Sequence, residues 1–247
     1  MARVSSEAIV LRTRPVGEAD LVVTFLTESE GKLSGSAKNA RRSRRRFGGG
    51  LEPMARGRAT WMEVEGKELV RLESFEAGVS FAARQRDLAW FYLFAYVAEV
   101  ADTFARDREA DPRFYRLLRA ATDASEAGSP PGTVRRWFEI WTLRLQGLLP
   151  ALGECSRCGR GLMEAGAVVA AEGGEALCIE CSGDAAPGAE AARLSKGEIG
   201  WIREALRKPV LKVPEPETSA GIDRLTRLMF LGFTGRPFRT ARFLEAR

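Results

Sequence analysis

The sequence predicts an α+β multidomain protein: a small closed β-barrel at the N-terminus, then a helical domain with a four-cysteine module inserted in its helical part. Three observations predict this. Five short segments of strand character crowd into the first eighty residues. Apolar and amphipathic stretches of helical period occupy much of the chain from Asp87 onward. All four cysteines fall in two Cys-x-x-Cys pairs. The boundaries read as a barrel domain over 1–80, a helical domain over 81–150, the cysteine module over 151–190, and a C-terminal helical part over 191–247 that packs on 81–150.

A chain of 247 residues, 45% hydrophobic and 29% charged, can bury a core and has neither a disordered nor a membrane composition. Its longest strongly apolar run, Leu88 to Ala98, is too short to span a bilayer. The start Met1-Ala-Arg-Val-Ser-Ser-Glu lacks the apolar stretch of a secretory signal, so a soluble cytoplasmic protein without a membrane partner is expected. Histidine is absent, which removes Ser-His-Asp and Cys-His nucleophile pairs and every His-containing metal site. The carboxylates form no convincing acid–base pair, since Glu28 and Glu30 fall at a turn and Glu63, Glu65 and Glu73 read as outward strand positions. No catalytic residue is expected.

The strands come in order as Ala8-Ile-Val-Leu-Arg-Thr-Arg, Asp20-Leu-Val-Val-Thr-Phe-Leu-Thr, Lys32-Leu-Ser-Gly-Ser-Ala-Lys, Ala59-Thr-Trp-Met-Glu-Val and Leu69-Val-Arg-Leu-Glu-Ser-Phe, with a Glu65-Gly66-Lys67 turn before the last. Five short strands favour a closed barrel of the oligonucleotide-binding (OB) type, because closure removes exposed edges and leaves one strand face and its loops for a ligand.

Between the third and fourth strands runs the basic segment. Lys38, Arg41, Arg42, Arg44, Arg45, Arg46, Arg56 and Arg58 stand against the single acid Glu52, a local charge of +7 where the whole chain carries +5. Arginines followed by Phe47-Gly-Gly-Gly read as a flexible, self-repelling loop that a phosphate backbone would neutralise, and the glycines read as a hinge. Five phosphate contacts on a single strand would give a salt slope of about −3.5. The competing reading is a solvated run or a loop held by an acidic protein. Trp61 and Phe47 are candidates for base stacking, although an aromatic on a barrel strand is more often core.

Cys155-Ser-Arg-Cys158 and Cys178-Ile-Glu-Cys181 have the spacing of a four-thiolate zinc site. Cys155, Cys158, Cys178 and Cys181 fill every coordination place with protein sulfur, so one structural Zn2+ per chain is expected rather than a catalytic ion. Val168-Val-Ala-Ala reads as a ribbon strand. From Ala151 to Glu190 two basic residues face seven acids, a local charge of −5, so this module is not expected to grip phosphates.

Among the helices, Asp87 to Glu99 is apolar nearly all round, as a buried central helix would be. Val134, Trp137, Phe138, Trp141, Leu145 and Leu148 share one face, with Ser129-Pro-Pro-Gly ahead and Pro150 behind. Ser195 and Glu198 have the spacing of a capping box flanked by Leu194 and Ile199 as a hydrophobic staple. A further amphipathic helix spans Thr218 to Gly232. Gly183 to Glu190 reads as a linker, and the basic tail from Gly235 to Phe243 as a solvated end or a further phosphate contact.

In this order the parts resemble the RecO family of bacterial recombinational repair mediators. The residues that carry the resemblance are Ala8-Ile-Val-Leu-Arg-Thr-Arg-Pro, Gly17-Glu18-Ala19-Asp20, Gly31-Lys-Leu-Ser-Gly-Ser-Ala-Lys-Asn-Ala-Arg-Arg with Arg46-Phe-Gly-Gly, Leu51-Glu-Pro, the two cysteine pairs, and Gly235-Arg-Pro-Phe-Arg-Thr-Ala-Arg-Phe. The resemblance implies a non-catalytic, nucleoid-associated protein of DNA repair and recombination. Such a protein binds ssDNA and dsDNA, anneals complementary strands, and with RecR helps load RecA onto strands coated by single-strand-binding protein. A zinc-ribbon adaptor that binds RNA or regulates a partner is the runner-up, and a nuclease built on scattered carboxylates a more remote reading.

Overall fold

The computed structural model describes residues 3–48, 50–79, 87–171, 174–183 and 191–245. The chain divides into two compact units, residues 1–122 with 238–247, and residues 123–237.

The first unit holds the expected five-stranded barrel: β1 (Arg3–Val16), β2 (Asp20–Thr27), β3 (Gly31–Ala37), β4 (Arg56–Met62) and β5 (Val70–Val79) close in the order β1-β2-β3-β5-β4. β1 is long enough to pair with both β2 and β4, and a register shift between Val10 and Arg12 lets it bend from one partner to the other. Closure depends on a short parallel pairing of Gly35 and Ser36 with Val70 and Arg71. Gly35 suits this close pairing, since a Cβ would stand a tight 3.1 to 3.3 Å from Val70, Leu72 and Phe25.

Alternation on β3 sends Leu33 and Ala37 inward and Lys32, Ser34 and Ser36 outward. The core comprises Val10, Val23, Phe25, Leu33, Phe47, Trp61, Val70, Leu72 and Phe75 among others. Trp61 packs edge-on to Phe25, with ring centroids 5.9 Å apart.

Several strand boundaries depart from the sequence expectation: β1 starts at Arg3 rather than Ala8, and β5 runs on to Val79 rather than ending at Phe75. β4 starts at Arg56, three residues early, because Gly57 lets β5 approach so closely that a Cβ would lie 2.1 Å from the Glu76 carbonyl oxygen. It also ends at Met62, which leaves Glu63 and Glu65 in the turn rather than on a strand face.

Helix α1 (Arg44–Phe47) is a single turn between β3 and β4, and α2 (Leu88–Phe104) packs against β1. α2 starts at Asp87, whose side chain accepts from the N–H of Ala89. Next comes α3 (Pro112–Glu126), which the sequence pattern did not reveal; Asp111 accepts from the N–H groups of Arg113 and Phe114 at its start.

The second unit contains α4 (Pro131–Leu145), α5 (Leu162–Ala165), α6 (Ile179–Ser182), α7 (Lys196–Ala205), a 3-10 turn at Val210–Lys212 and α8 (Ala220–Thr234). β6 (Ala167–Ala170), β7 (Ala176–Leu177) and β8 (Ala191–Leu194) form a small antiparallel sheet in the order β7-β6-β8. The capping box is present: Ser195 Oγ accepts from the Glu198 N–H, and the Glu198 carboxylate accepts from the Ser195 N–H. Leu194 and Ile199, the expected staple, are both buried. The other Glu198 oxygen receives the Gly221 N–H at 2.7 Å, so one buried carboxylate caps α7 and secures the start of α8. Residues 184–190 of the expected linker lie outside the described residues. No described helix is long and apolar enough to cross a membrane.

Candidate nucleic-acid interface and metal centre

The end of β3 and the turn after it place the first basic residues. Asn39 adopts a positive φ of 56°, and the Asp20 carboxylate at the start of β2 accepts both its N–H (2.8 Å) and the Lys38 ammonium (2.6 Å). Hydrogen bonding by Asn39 and Lys38 holds the Asp20 carboxyl below the usual range. The Arg41 N–H donates to the Ala19 carbonyl and its guanidinium to the Glu18 carbonyl, while Arg42 lies 3.6 Å from the Glu18 carboxylate. Glu18 and Asp20 therefore organise the basic turn from the neighbouring hairpin. Gly17, at φ 60°, was the signal for that hairpin, but nothing in the sequence tied it to the arginines.

The arginine run is more ordered than its composition implies. Arg44–Phe47 forms a helical turn because Phe47 is buried in the barrel core and anchors it from below. The Phe47 N–H donates to the Ser43 carbonyl, the Gly50 N–H returns to Phe47, and the Arg46 guanidinium lies 5.1 Å above the Phe47 ring. Arg46 also donates to the Lys38 carbonyl and to Ser43, and is half-buried. Arg41, Arg42 and Arg45 are exposed, and nothing is described of the Arg44 side chain.

Arg56 and Arg58 lie on β4. Arg58 pairs with Glu7 directly across the strands (3.1 Å), and Arg56 reaches Thr122 of α3. The exposed Arg58–Glu7 pair is exchangeable at little cost, since such a pair contributes about 0 to 1 kcal/mol. Neither Phe47 nor Trp61 is open to a base: both are buried, the core alternative that the sequence allowed.

The four cysteines converge as their spacing requires. Their sulfurs all lie within 4.8 Å of one another, and Cys158 Sγ and Cys178 Sγ are 3.8 Å apart. Tetrahedral sulfurs about 2.3 Å from a metal stand roughly 3.8 Å apart, so the donors fit a four-thiolate ion. In the first knuckle the Cys155 N–H donates to Arg160 and Gly159, at φ 73°, returns its N–H to Cys155. In the second, Cys178 Sγ accepts from the Cys181 N–H at the start of α6.

The Cys178 N–H draws the Cys155 thiol down to about 6, while hydrogen bonding to Cys158 and Cys178 pushes Cys181 up to about 12. Four crowded sulfurs cannot all ionise without a compensating cation. Arg157 donates to the Cys181 carbonyl and Arg160 pairs with Glu180, each tying one knuckle to the other.

The basic tail is not a free end. The carboxylate of Glu99 on α2 accepts from the N–H of Arg239 (3.0 Å) and from both the N–H (2.9 Å) and hydroxyl (2.5 Å) of Thr240. α9 (Arg242–Glu245) follows directly.

The family model for the N-terminal part of recombination protein O matches residues 1–81, and that for its C-terminal part matches residues 85–241. The chain is 41% identical over 182 residues to the DNA repair protein RecO of Anaeromyxobacter sp. (strain K), covering 74% of this chain and 72% of that protein. It is 32% identical to the RecO of Myxococcus xanthus (strain DK1622) over 247 residues, 99% of this chain and 98% of the relative. With the RecO of Koribacter versatilis (strain Ellin345), 43% identity extends over 159 residues, 64% of each chain.

Proposed function

Because the chain belongs to the RecO family of DNA repair proteins, we propose that it is a non-catalytic mediator of recombinational repair that binds single- and double-stranded DNA and anneals complementary strands. RecR and single-strand-binding protein are its partners, and with RecR it helps load RecA onto coated strands at the nucleoid. The observation that carries this reading is the exposed basic turn mounted on a closed five-stranded barrel.

In this reading residues 1–80 form the DNA-binding domain. Lys38, Arg41, Arg42, Arg44, Arg45 and Arg46 hold phosphates, with Arg56 and Arg58 flanking them. Annealing needs such neutralisation, because two polyanions must approach before bases pair. Glu18 and Asp20 hold the turn in shape until phosphates replace them.

Cys155, Cys158, Cys178 and Cys181 would hold one Zn2+. Zinc favours four thiolates in tetrahedral geometry, and with no open position it stabilises the 151–190 module rather than activating water. Along the chain that module stands between the helical segments 81–150 and 191–247.

A strand-annealing assay at two salt concentrations, with and without magnesium, tests the function. Salt-sensitive annealing without cleavage is expected. Magnesium-dependent degradation, or binding to RNA alone, would overturn the reading.

A further inference from the structure

The proposed DNA reading leaves a second feature of the first unit unused. Along the outward face of α2, Leu88, the adjacent Phe91 and Tyr92, Ala95, Glu99 and Asp102 follow one another by turns of the helix, a stripe about 21 Å long at 1.5 Å per residue. The C-terminal segment lies on it. Phe243 stacks on Tyr92, with centroids 5.2 Å apart and planes at 10°, and Phe91 meets Tyr92 edge-on at 5.7 Å. Phe238 packs edge-on to Tyr96 further along the helix.

Two large aromatic rings nevertheless stay open to solvent, Phe91 at 48% and Phe243 at 38%. One cation touches Phe243, and two more stand further along the stripe. The Arg242 guanidinium lies 4.7 Å over the Phe243 ring, Arg239 is 85% exposed beside Glu99, and Arg12 of β1 is 62% exposed beside Asp102, one helical turn from Glu99.

The two acids of this face are already engaged. Glu99 receives the N–H groups of Arg239 and Thr240, and although burial works against its ionisation, these bonds and the Thr240 hydroxyl hold its carboxyl below the usual range. Asp102 is shared between Arg12 and Lys32. Arg12 and Arg239 reach these carboxylates through exposed ion pairs at 3.6 and 3.7 Å, contacts that a polyanion can replace at little cost.

Exposed aromatic rings and arginines on one surface are the combination that binds single-stranded nucleic acid without sequence preference: an open ring such as Phe91 stacks on a base and guanidinium groups follow the backbone. Phe91 stays exposed although Tyr92 and Phe243 pack together beside it, and three exposed arginines stand along the same stripe. We infer that the outward face of α2, with the C-terminal segment held on it by Glu99, is a second single-strand contact surface, built from Phe91, Phe243, Arg12, Arg239 and Arg242. This inference rests on the DNA-binding reading and extends it: a protein that anneals must manage two strands, and the basic turn supplies only one surface.

The test uses the full chain and a 5-iodouracil-substituted oligodeoxynucleotide. Photo-crosslinks are expected on the peptides bearing Phe91 and Tyr92 and bearing Phe243, in addition to the turn at 38–47. The double variant Arg239→Gln, Arg242→Gln alters exposed side chains only and is expected to fold normally. It should flatten the salt slope of single-strand binding by about 1.4, at about 0.7 for each phosphate no longer neutralised.

Adducts confined to the turn, with an unchanged slope in the double variant, would overturn the inference, as would a face that takes an acidic protein while the oligonucleotide slope stays unchanged. Absence of any adduct and of any binding by the unaltered chain would instead overturn the broader DNA reading.

Discussion

The Lys38 ammonium lies 2.6 Å from the Asp20 carboxylate, which also receives the Asn39 N–H at the left-handed residue that turns the chain out of β3. One side chain thus fixes the direction in which the basic turn leaves the barrel. Because hydrogen bonding by Asn39 and Lys38 lowers the Asp20 pKa from 3.8, its contribution to stability is present above that value and lost as pH falls through the lower folded one. Carboxyl titration by NMR should find Asp20 among the last carboxylates to protonate. An unperturbed titration would show that the pairing does not persist in solution.

Phe47 couples the turn to the core. Phe47→Ala should destabilise the first unit by roughly 3 to 5 kcal/mol, the usual cost of deleting a buried ring, and should weaken DNA binding by releasing Arg44–Arg46 from their helical turn. Denaturant unfolding measures the first effect and anisotropy titration with an oligonucleotide the second. Stability within about 1 kcal/mol of the parent would contradict the anchoring role.

The four cysteines predict bound metal. Purified protein should carry one zinc per chain by elemental analysis. Chelation, or Cys158→Ser, should lower the thermal midpoint and increase amide exchange in 151–183 while the barrel keeps its protection. Loss of DNA binding with the module still folded would contradict a purely structural ion.

Glu198 serves two helices. Glu198→Ala keeps the Ser195 cap, whose donor is the backbone N–H of residue 198, but strands the Ser195 and buried Gly221 N–H groups, which should cost about 2 to 4 kcal/mol for two unpaired donors. Glu198→Gln keeps an acceptor and should cost less. Equal losses in the two variants would show that charge rather than hydrogen bonding matters here.

How far the structure was legible differs from element to element, for physical reasons. Alternation revealed the strands because one face of each fills the barrel, and the box at Ser195 and Glu198 and the paired cysteines are local signals that need no knowledge of distant partners. α3 escaped because its apolar residues, Phe114, Tyr115, Leu117, Leu118 and Ala121, are interleaved with arginines; Asp111-Pro112, a cap followed by a proline at the first helical position, was the overlooked signal. The arginine run looked like a flexible loop because its order comes from Phe47 reaching into a core that only the closed barrel creates. The tail looked free because Glu99, which holds it, lies 140 residues earlier in the chain.

The central claim is that the basic turn neutralises phosphates, and reversal of its charge tests it most directly. In the variant Arg42→Glu, Arg44→Glu, Arg45→Glu, single-strand affinity should collapse and any residual binding should show a salt slope flatter by about 2, as expected when three phosphates are no longer held, while the thermal midpoint stays close to that of the parent. Unchanged affinity and slope in a correctly folded variant would contradict the assignment.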